Sequence, residues 1–279
     1  TPAACRRAFT TGCEENETVS TSHTIYTTAG PVATLTFNRP TSRNAMTWAM
    51  YDALLDTCDA VDADPAVRVL VLRGTDDRAF VAGTDISQFQ DLHTGEDALA
   101  YEARLDHVID RLERLTKPTI ARIQGVAVGG GCVIAMACDL RICGPDAHFG
   151  VPVARTLGNC LSAANCARLL DLVGPARLKD ILFTARLLGA QEALAAGLAT
   201  RVVDADALDR VVTETAETIA ANAPLTVRAT KEMVRRLQAH RRIEPALGHD
   251  LIIACYTSQD FKLAVEAFLA KRPPVWTGR

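Results

Sequence analysis

The stretch Val126–Asp139, VAVGGGCVIAMACD, places three consecutive glycines between two apolar runs. The apolar residues before the glycines, within residues 119–128, predict a strand, and those after them predict the start of a helix. Because a glycine in a helix costs about 1 kcal/mol relative to alanine, three of them need a reason. They either let the helix pack closely on a strand or turn unpaired backbone N–H groups toward negative charge.

A second glycine-bearing turn also follows an apolar strand, in AFVAGTDI at residues 79–86. One backbone N–H from residues 82–85 and one from Gly129–Gly131 would together form an oxyanion hole, a pair of donors that stabilises developing negative charge. Close packing alone explains an isolated triple glycine equally well. The oxyanion hole is therefore a hypothesis that depends on the surrounding sequence.

Around these turns, predicted strands and helices alternate in the first half of the chain, whereas the second half is almost entirely helical. Strands are predicted at residues 32–40, 67–74, 119–128 and 140–143, and helices at 45–64, 97–116, 158–172, 175–183, 190–197, 205–222, 224–240 and 246–270. No linker rich in proline, glycine or serine separates the halves, so we expect an α/β core that continues directly into helices. The predicted division is a polar arm at 1–22, a core at 23–205 and a C-terminal helical region at 206–279.

The composition excludes several classes of function. With 48% hydrophobic residues among 279, the chain can bury a sizeable core, and its net charge of −3 gives no electrostatic support for binding nucleic acid. No apolar run reaches the roughly 18 residues of a membrane span, and residues 1–22 lack the apolar centre of a secretory signal. The nine cysteines include no C-x-x-C pair, so we expect no metal site. Several lie in apolar runs, which favours free thiols and a cytoplasmic location.

Several ordered segments carry a resemblance to a known family. They are NRPTSRNAM, AFVAGTDISQF, KPTIARIQGVAVGGGCVIAMACDLRIC, FTARLLGAQEALAAGLATRVV, APLTVRATKEMV and AVEAFLAKRPPVW. Together they cover roughly residues 30–275 and resemble the enoyl-CoA hydratase/isomerase family of the crotonase superfamily. The resemblance implies an α/β fold, a crotonase-like spiral of ββα units followed by a helical C-terminal trimerisation region. The expected assembly is a homotrimer or a dimer of trimers.

The resemblance also implies an acyl-CoA thioester as substrate and no cofactor beyond its CoA moiety. The thioester oxygen would lie between the backbone N–H groups of Thr84 and Gly130. The family pattern assigns CoA contacts to six positions, the last two reaching the nucleotide of a neighbouring subunit: Arg43, Ala82, Asp85, Ile86, Phe268 and Lys271. As alternatives, Asp85 caps a helix and the two basic residues are solvated surface charges.

The sequence departs from the hydratases at the two positions where that family carries catalytic glutamates. The first position, two residues after the triple glycine, is Val133, and the second, after Pro152, is Val153. Counting back from Gly158 instead puts the second position at Ala154. Since none of these side chains transfers a proton, the two-carboxylate mechanism is not available.

Polar residues elsewhere are candidates to replace the glutamates. The segment at 154–174 looks more like the branch that contains 4-chlorobenzoyl-CoA dehalogenase, in which Ser162 falls near a nucleophilic aspartate and Asp106, with His107 beside it, falls near a catalytic histidine. Arg155 and Asn159 belong to the same polar segment. As alternatives, Ser162 and Asn159 cap a helix and His107 is an exposed helix residue. Cys160 is a weaker candidate nucleophile, because nothing nearby in sequence lowers its pKa.

Three functions follow from this pattern. The first is an enzyme that stabilises a thioester enolate without the glutamate pair, catalysing hydrolysis, decarboxylation, a double-bond shift or carbon–carbon cleavage. The second is a non-catalytic acyl-CoA-binding or scaffold subunit, which needs the same turns only as ligand contacts. The third is a slow hydratase that positions water with backbone, Asn or Ser groups.

Overall fold

The computed structural model describes residues 18–20 and 23–279. Of the predicted polar arm at 1–22, only Thr18–Ser20 is described, and it pairs as a short antiparallel strand with Thr24–Ala29. The rest of that predicted arm lies outside the described residues.

Strands and helices alternate along the chain as the sequence predicts. The strands are β1 (Thr18–Ser20), β2 (Thr24–Ala29), β3 (Val32–Phe37), β4 (Val69–Gly74), β5 (Ala79–Val81), β6 (Thr119–Ile123), β7 (Val126–Val128), β8 (Leu140–Cys143), β9 (His148–Gly150), β10 (Leu188–Gly189) and β11 (Arg201–Val202). The helices are α1 (Trp48–Ala63), α2 (Gly95–Glu113), α3 (Gly130–Ala137), α4 (Val153–Thr156), α5 (Ala163–Thr184), α6 (Ala190–Ala196), α7 (Leu208–Ala221), α8 (Pro224–His240), α9 (His249–Tyr256) and α10 (Gln259–Leu269).

The strands form two sheets that share the same supersecondary units. The larger sheet has the order β1-β2-β3-β4-β6-β8-β11 and is parallel from β3 onward, and the smaller has the order β10-β9-β7-β5. Each successive pair of strands gives one strand to each sheet and is followed by a helix: β4, β5 and α2, then β6, β7 and α3, then β8, β9 and α4. The predicted spiral of ββα units is therefore confirmed.

The predicted single strand at 119–128 is wrong, because the chain changes sheet in its middle. The residues Thr119–Ile123 pair with β4 and β8 in the large sheet, whereas Val126–Val128 pair with β5 and β9 in the small one. Gly125 makes the corner with a φ of +64°, and a Cβ there would lie 2.2 Å from the Arg78 carbonyl oxygen. Hydrophobic periodicity alone does not register such a corner, since both halves are apolar.

Two helix predictions need correction at their ends. The helix predicted from 158 begins at Ala163, because the Ser162 hydroxyl accepts a hydrogen bond from the Asn165 N–H and caps it. It then continues through a single non-helical residue, Gly174. The helix predicted at 246–270 is divided into α9 and α10, where Ser258 caps the second helix by accepting from the Phe261 N–H.

An aromatic cluster joins α2 to the C-terminal helices. Its rings pack edge to face and tilted at centroid distances of 4.8–6.4 Å. The members are Phe89, Tyr101, Tyr256 and Phe261, all at most 5% exposed. Among the described residues, no helix is long and apolar enough to cross a lipid bilayer.

Candidate active site

The two glycine-bearing turns identified in the sequence touch each other. Gly129 has a φ of +57°, and a Cβ built on it would lie 3.5 Å from the Cα of Gly83. Close packing also plays a part, because a Cβ on Gly131 would lie 2.1 Å from the Val81 carbonyl oxygen. The triple glycine therefore packs α3 on β5, which is the first purpose that the sequence suggested, and it also brings the two turns together.

The backbone N–H groups of Thr84 and Gly130 are free to face this junction. Met46 forms an isolated parallel β-bridge with Thr84. Its N–H donates to the Gly83 carbonyl at 2.8 Å and its carbonyl accepts from the Asp85 N–H at 2.9 Å, so both hydrogen bonds of the bridge use the neighbours of Thr84 and leave the Thr84 N–H unused. Gly130 is the first residue of α3, where an N–H has no partner within the helix. A Cβ on Gly130 would lie 3.7 Å from the Thr84 nitrogen, so the two residues lie side by side.

Tyr51 fixes the side chain of Thr84 beside these donors. Its hydroxyl lies 2.8 Å from Thr84 Oγ1, and the tyrosine is 1% exposed. A Cβ on Gly130 would be only 2.7 Å from the same hydroxyl, so glycine is the residue that leaves this space open. Burial raises the pKa of Tyr51, which therefore stays a neutral hydrogen-bonding group.

A cavity of about 780 Å³ opens in front of the two turns. It is lined by Thr84 and Gly130 and by all six residues that the resemblance assigned to CoA, namely Arg43, Ala82, Asp85, Ile86, Phe268 and Lys271. One cavity therefore contains the expected oxyanion hole and the expected CoA contacts. This volume falls in the range of 300–1,000 Å³ that is usual for small-molecule sites.

Asp85 also has the structural role that was its alternative explanation. Its carboxylate accepts from the Ser87 N–H at 3.1 Å, which caps the short 3-10 helix Ile86–Phe89, and it forms an ion pair with Arg39 at 2.7 Å. Burial works against ionisation, but the hydrogen bonds from Ser87 and Arg39 prevail and hold the pKa of Asp85 below its usual value.

Phe268 and Lys271 line the cavity of their own chain. The resemblance placed them at the nucleotide of a neighbouring subunit. Within this chain, α10 folds back onto the 3-10 helix at Ile86–Phe89, where the rings of Phe261 and Phe89 make an edge-to-face contact at a centroid distance of 5.8 Å. This packing brings the end of α10 to the cavity mouth within one protomer, and the contact with a neighbouring subunit's nucleotide stays a prediction.

The two positions at which the resemblance places the family's glutamates border the cavity. Val133 on α3 is buried and Val153 at the start of α4 is half-buried, and both line the space in front of the oxyanion turns. Ala154, the other position obtained by counting, is exposed and does not line this cavity. Of the two alternatives for the second position, only Val153 lines the cavity, and neither Val133 nor Val153 is an acid.

Four of the predicted replacement residues do not line the cavity. The Asp106 carboxylate accepts from the Ser162 hydroxyl at 2.8 Å and from the Asn165 amide at 3.0 Å, so Asp106 and Ser162 form a helix-capping contact behind the wall. Burial raises the pKa of Asp106. His107 and Arg155 are exposed on outer surfaces. Their helices orient them away from the site, which spacing in the sequence did not reveal.

The comparison with known proteins agrees with this geometry. The sequence profile of the family described as enoyl-CoA hydratase/isomerase matches residues 27–279. The chain belongs to the enoyl-CoA hydratase/isomerase family. A short-chain-enoyl-CoA hydratase from Clostridium acetobutylicum is 36% identical over 87% of this chain and 93% of its own length. A crotonyl-CoA hydratase from Syntrophomonas wolfei is 38% identical over 86% of this chain and 92% of its own length.

Solved structures of the enoyl-CoA hydratase/isomerase family have the same fold. An enoyl-CoA hydratase/carnithine racemase from Magnetospirillum magneticum superposes with a TM-score of 0.76 at 34% identity, covering 93% of this chain and 97% of that one. A methylmalonyl-CoA decarboxylase in complex with 2-nitronate-propionyl-CoA gives 0.85 at 27% identity, covering 93% of this chain and all of that one. The predicted fold class is confirmed, whereas the assembly stays a prediction.

One acid in the cavity of this family member was missed by the sequence analysis. Glu102 on α2 is 6% exposed and lines the cavity, and its carboxylate accepts a hydrogen bond from the Tyr256 hydroxyl. A signal was present in the sequence: Glu102 stands three residues before Leu105 on the apolar stripe of α2, where an acid is out of place.

Asn159 extends this contact into a chain of hydrogen bonds. Its Nδ2 donates to the Tyr256 hydroxyl at 3.0 Å, and it lines the cavity with Glu102. Asn159 was predicted as a cavity residue or a helix cap, and it is a cavity residue. Cys160 beside it also lines the cavity, and a hydrogen bond with the Cys255 thiol and burial raise its pKa, which disfavours the nucleophilic thiolate.

Proposed function

We propose that the protein is an enzyme that binds an acyl-CoA thioester in the 780 Å³ cavity and stabilises its enolate between the N–H groups of Thr84 and Gly130. The observation that carries this proposal is that one cavity is lined by both donor turns and by the residues expected to contact CoA. The start of α3 adds the positive end of a helix dipole to the two donors. Such donors contribute most where negative charge develops in the reaction.

The proposed reaction is not efficient hydration of an enoyl-CoA. Hydration of this type uses one acid to deliver a proton and one base to activate water, and the two corresponding positions hold Val133 and Val153. Each lost acid–base group typically costs about 10²- to 10⁴-fold in rate. The reactions left open are those in which the enolate is formed without a paired carboxylate, namely proton transfer, decarboxylation, hydrolysis or carbon–carbon cleavage.

Decarboxylation is the second candidate, and the likeness to methylmalonyl-CoA decarboxylase at a TM-score of 0.85 favours it. Loss of CO₂ from the carbon next to the thioester carbonyl leaves its bonding pair as the enolate. The oxyanion hole then stabilises the product of bond cleavage, and no base is needed for that step. A non-catalytic acyl-CoA-binding subunit is the remaining alternative.

The decisive measurement is turnover of crotonyl-CoA beside a panel of β-keto, malonyl-type, saturated and aromatic CoA thioesters, with binding constants from calorimetry for each. We expect hydration of crotonyl-CoA to be several orders of magnitude below that of a normal hydratase, with turnover of another thioester. Hydration at hundreds per second would refute the proposal. Tight binding of every thioester without turnover of any would favour the non-catalytic subunit.

We also propose that the protein works as a trimer or a dimer of trimers in the cytoplasm. The support is the helix α8, whose 17 residues include no fully buried one and which exposes large apolar side chains. The seven described cysteines are free thiols, which suits a reducing compartment.

A further inference from the structure

Of the acidic residues discussed above, Glu102 alone lines the cavity and forms no ion pair with a basic side chain of the described residues. It lines the same space as Thr84 and Gly130 and is 6% exposed. Within residues 18–20 and 23–279, its only hydrogen bond is the one from the Tyr256 hydroxyl, and no cation forms an ion pair with it. A buried carboxyl group without a cation is costly to keep for stability alone.

Another glutamate on the same helix shows what a structural acid looks like in this protein. Glu113 accepts hydrogen bonds from Arg168 and Arg242 at 2.6–3.0 Å and does not line the cavity. Burial opposes ionisation there, but the two arginines lower the pKa of Glu113 to about 2. At Glu102 burial dominates and raises the pKa to about 7, with the Tyr256 hydrogen bond opposing and Asp106 adding to the rise.

We propose that Glu102 is the acid–base residue of this site, which takes a proton from the carbon next to the thioester carbonyl and returns one to it. This inference rests on the proposed function, because it needs a thioester held by Thr84 and Gly130. It assigns the proton transfer to α2, on a different wall from α3 and α4, where the family's glutamate positions hold valines.

The step balances without any co-reactant. An oxygen of the Glu102 carboxylate forms an O–H bond with the proton, and the C–H bond breaks. The released pair forms a carbon–carbon double bond to the carbonyl carbon, and the carbonyl π pair moves to the oxygen, which the two N–H groups stabilise. In the reverse step the Glu102 carboxyl returns a proton to the carbon. Exchange with solvent between the two steps replaces that proton.

Tyr256 and Asn159 are positioning residues for this carboxylate. The Tyr256 hydroxyl donates to Glu102 and accepts from Asn159 Nδ2, so the direction of the chain is set. Tyr256 packs against Tyr101 at a ring centroid distance of 6.1 Å and is 2% exposed, which holds its hydroxyl in place. A carboxyl group held in one orientation loses less entropy on reaching the substrate.

The titratable groups around Glu102 come from four parts of the fold. They are Tyr51 on α1, Tyr101 and Asp106 on α2, Tyr256 on α9, Cys160 before α5 and Cys166 on α5. Burial raises the pKa of each of the three tyrosines and of Cys166, so these stay neutral near pH 7. Since the base is the ionised form of Glu102, proton abstraction is expected to rise with pH through about 7 and then level off.

The test uses butyryl-CoA, a saturated thioester that is neither hydrated nor decarboxylated. The full chain is incubated with it in D₂O, and loss of the signal of the protons next to the carbonyl is followed by ¹H NMR. Binding of the same compound is measured by calorimetry. We expect exchange by the unaltered protein, at least 100-fold slower exchange by Glu102→Gln, and an unchanged Kd. Glu96→Gln, an exposed acid at the start of the same helix, is the matched control and is expected to leave both quantities unchanged.

Two further variants keep the test valid if Glu102→Gln folds poorly. Glu102→Asp retains the carboxyl group on a side chain that is one methylene shorter. Its exchange rate is therefore expected to fall between the rates of the unaltered protein and of Glu102→Gln. Tyr256→Phe removes the hydrogen bond that favours ionisation, so the midpoint of the pH profile is expected to move upward from about 7. A purely structural role for Tyr256 would lower the rate without moving that midpoint.

The outcomes separate this inference from the proposed function. If the unaltered protein binds butyryl-CoA but exchanges no protons, or if Glu102→Gln exchanges at the full rate, Glu102 is not the acid–base residue while thioester binding stands. If no CoA thioester binds at all, the proposed function fails and this inference fails with it.

Discussion

At Gly130, the absence of a side chain keeps the expected oxyanion hole open. A Cβ at this position would lie 2.7 Å from the Tyr51 hydroxyl and 3.1 Å from Thr84 Oγ1. Both distances are shorter than the approximately 3.5 Å at which non-bonded heavy atoms pack. The hydrogen bond between Tyr51 and Thr84 therefore defines a space that only glycine leaves free.

We expect Gly130→Ala to lower kcat by about 10²- to 10³-fold for whichever thioester the protein turns over. The added methyl group would push Tyr51 or Thr84 out of place and displace one donor, and the loss of one oxyanion-hole donor costs about this much. Steady-state kinetics measure the effect. Gly189→Ala is the matched control, since its φ is −71° and nothing lies within 4 Å of the new Cβ. Equal rates for the two variants would contradict the assignment.

The sequence predicted the residues of the expected donor turns but not the acid that lines the same cavity. Thr84 and Gly130 are predicted from motifs in which the backbone makes the contact, so their position in the chain is enough to propose their role. Glu102 depends instead on the rotation of α2 and on the packing of Tyr256 from more than 150 residues away. Its place on an apolar stripe was a visible signal, but the sequence did not tell which wall the stripe faces.

On the scale of elements, the last turn of α2 makes ionic contacts with neighbouring elements, whereas its middle lines the cavity. Glu113 at its last turn joins Arg168 of α5 and Arg242, which follows α8, whereas Glu102 faces the cavity. The Arg168 side chain is 2% exposed and depends on Glu113 and Asp110 for its counter-charge. This ionic contact therefore holds α2 against α5 and the segment that follows α8.

We expect Glu113→Gln to lower the free energy of unfolding by about 3 to 5 kcal/mol, because it leaves a buried arginine without one of its partners. The pKa of Glu113 is lowered from 4.5 to about 2 in the fold, so its contribution is present above pH 4.5 and is lost as the pH falls toward 2. Urea denaturation at pH 7 and at lower pH measures both effects.

Glu214→Gln is the control for that substitution. Glu214 pairs with Arg210 on the exposed side of α7 at 3.0 Å, and exposed pairs contribute about 0 to 1 kcal/mol. If Glu113→Gln and Glu214→Gln lower the free energy of unfolding by the same small amount, the ion pairs of Glu113 do not hold α2 in place.

The sequence predicted which elements exist better than where the chain turns between them. Strands such as Val69–Gly74 are apolar except for Arg73 and mostly buried, so their character is plain from composition. The strand predicted at 119–128 is divided by one corner at Gly125. The chain turns there because its backbone passes close to Arg78, and not because the local sequence is polar. Tertiary contacts of this kind are not encoded in hydrophobic periodicity.

At the scale of the whole molecule, the C-terminal helices leave an apolar surface uncovered. Met233 and Leu237 on α8 are 58% and 64% exposed and lie four residues apart, on the same side of the helix. Leu225 on the first turn of α8 is 77% exposed. Large exposed apolar side chains grouped on one element are typical of an interface with another chain.

We expect the unaltered protein to sediment at micromolar concentration as a trimer of about 90 kDa or its dimer, since one chain has a mass of 30.0 kDa. Leu237→Asp is expected to shift the distribution toward the monomer, because burying an unpaired carboxylate in an apolar contact is unfavourable. Ala239→Asp adds the same charge two residues away, on about the opposite side of the helix, and is expected to leave the assembly unchanged.

Because Phe268 and Lys271 line the cavity of their own chain, thioester binding by the Leu237→Asp monomer is expected to persist. A stable 30 kDa species for the unaltered protein would contradict the predicted assembly without touching the proposed chemistry.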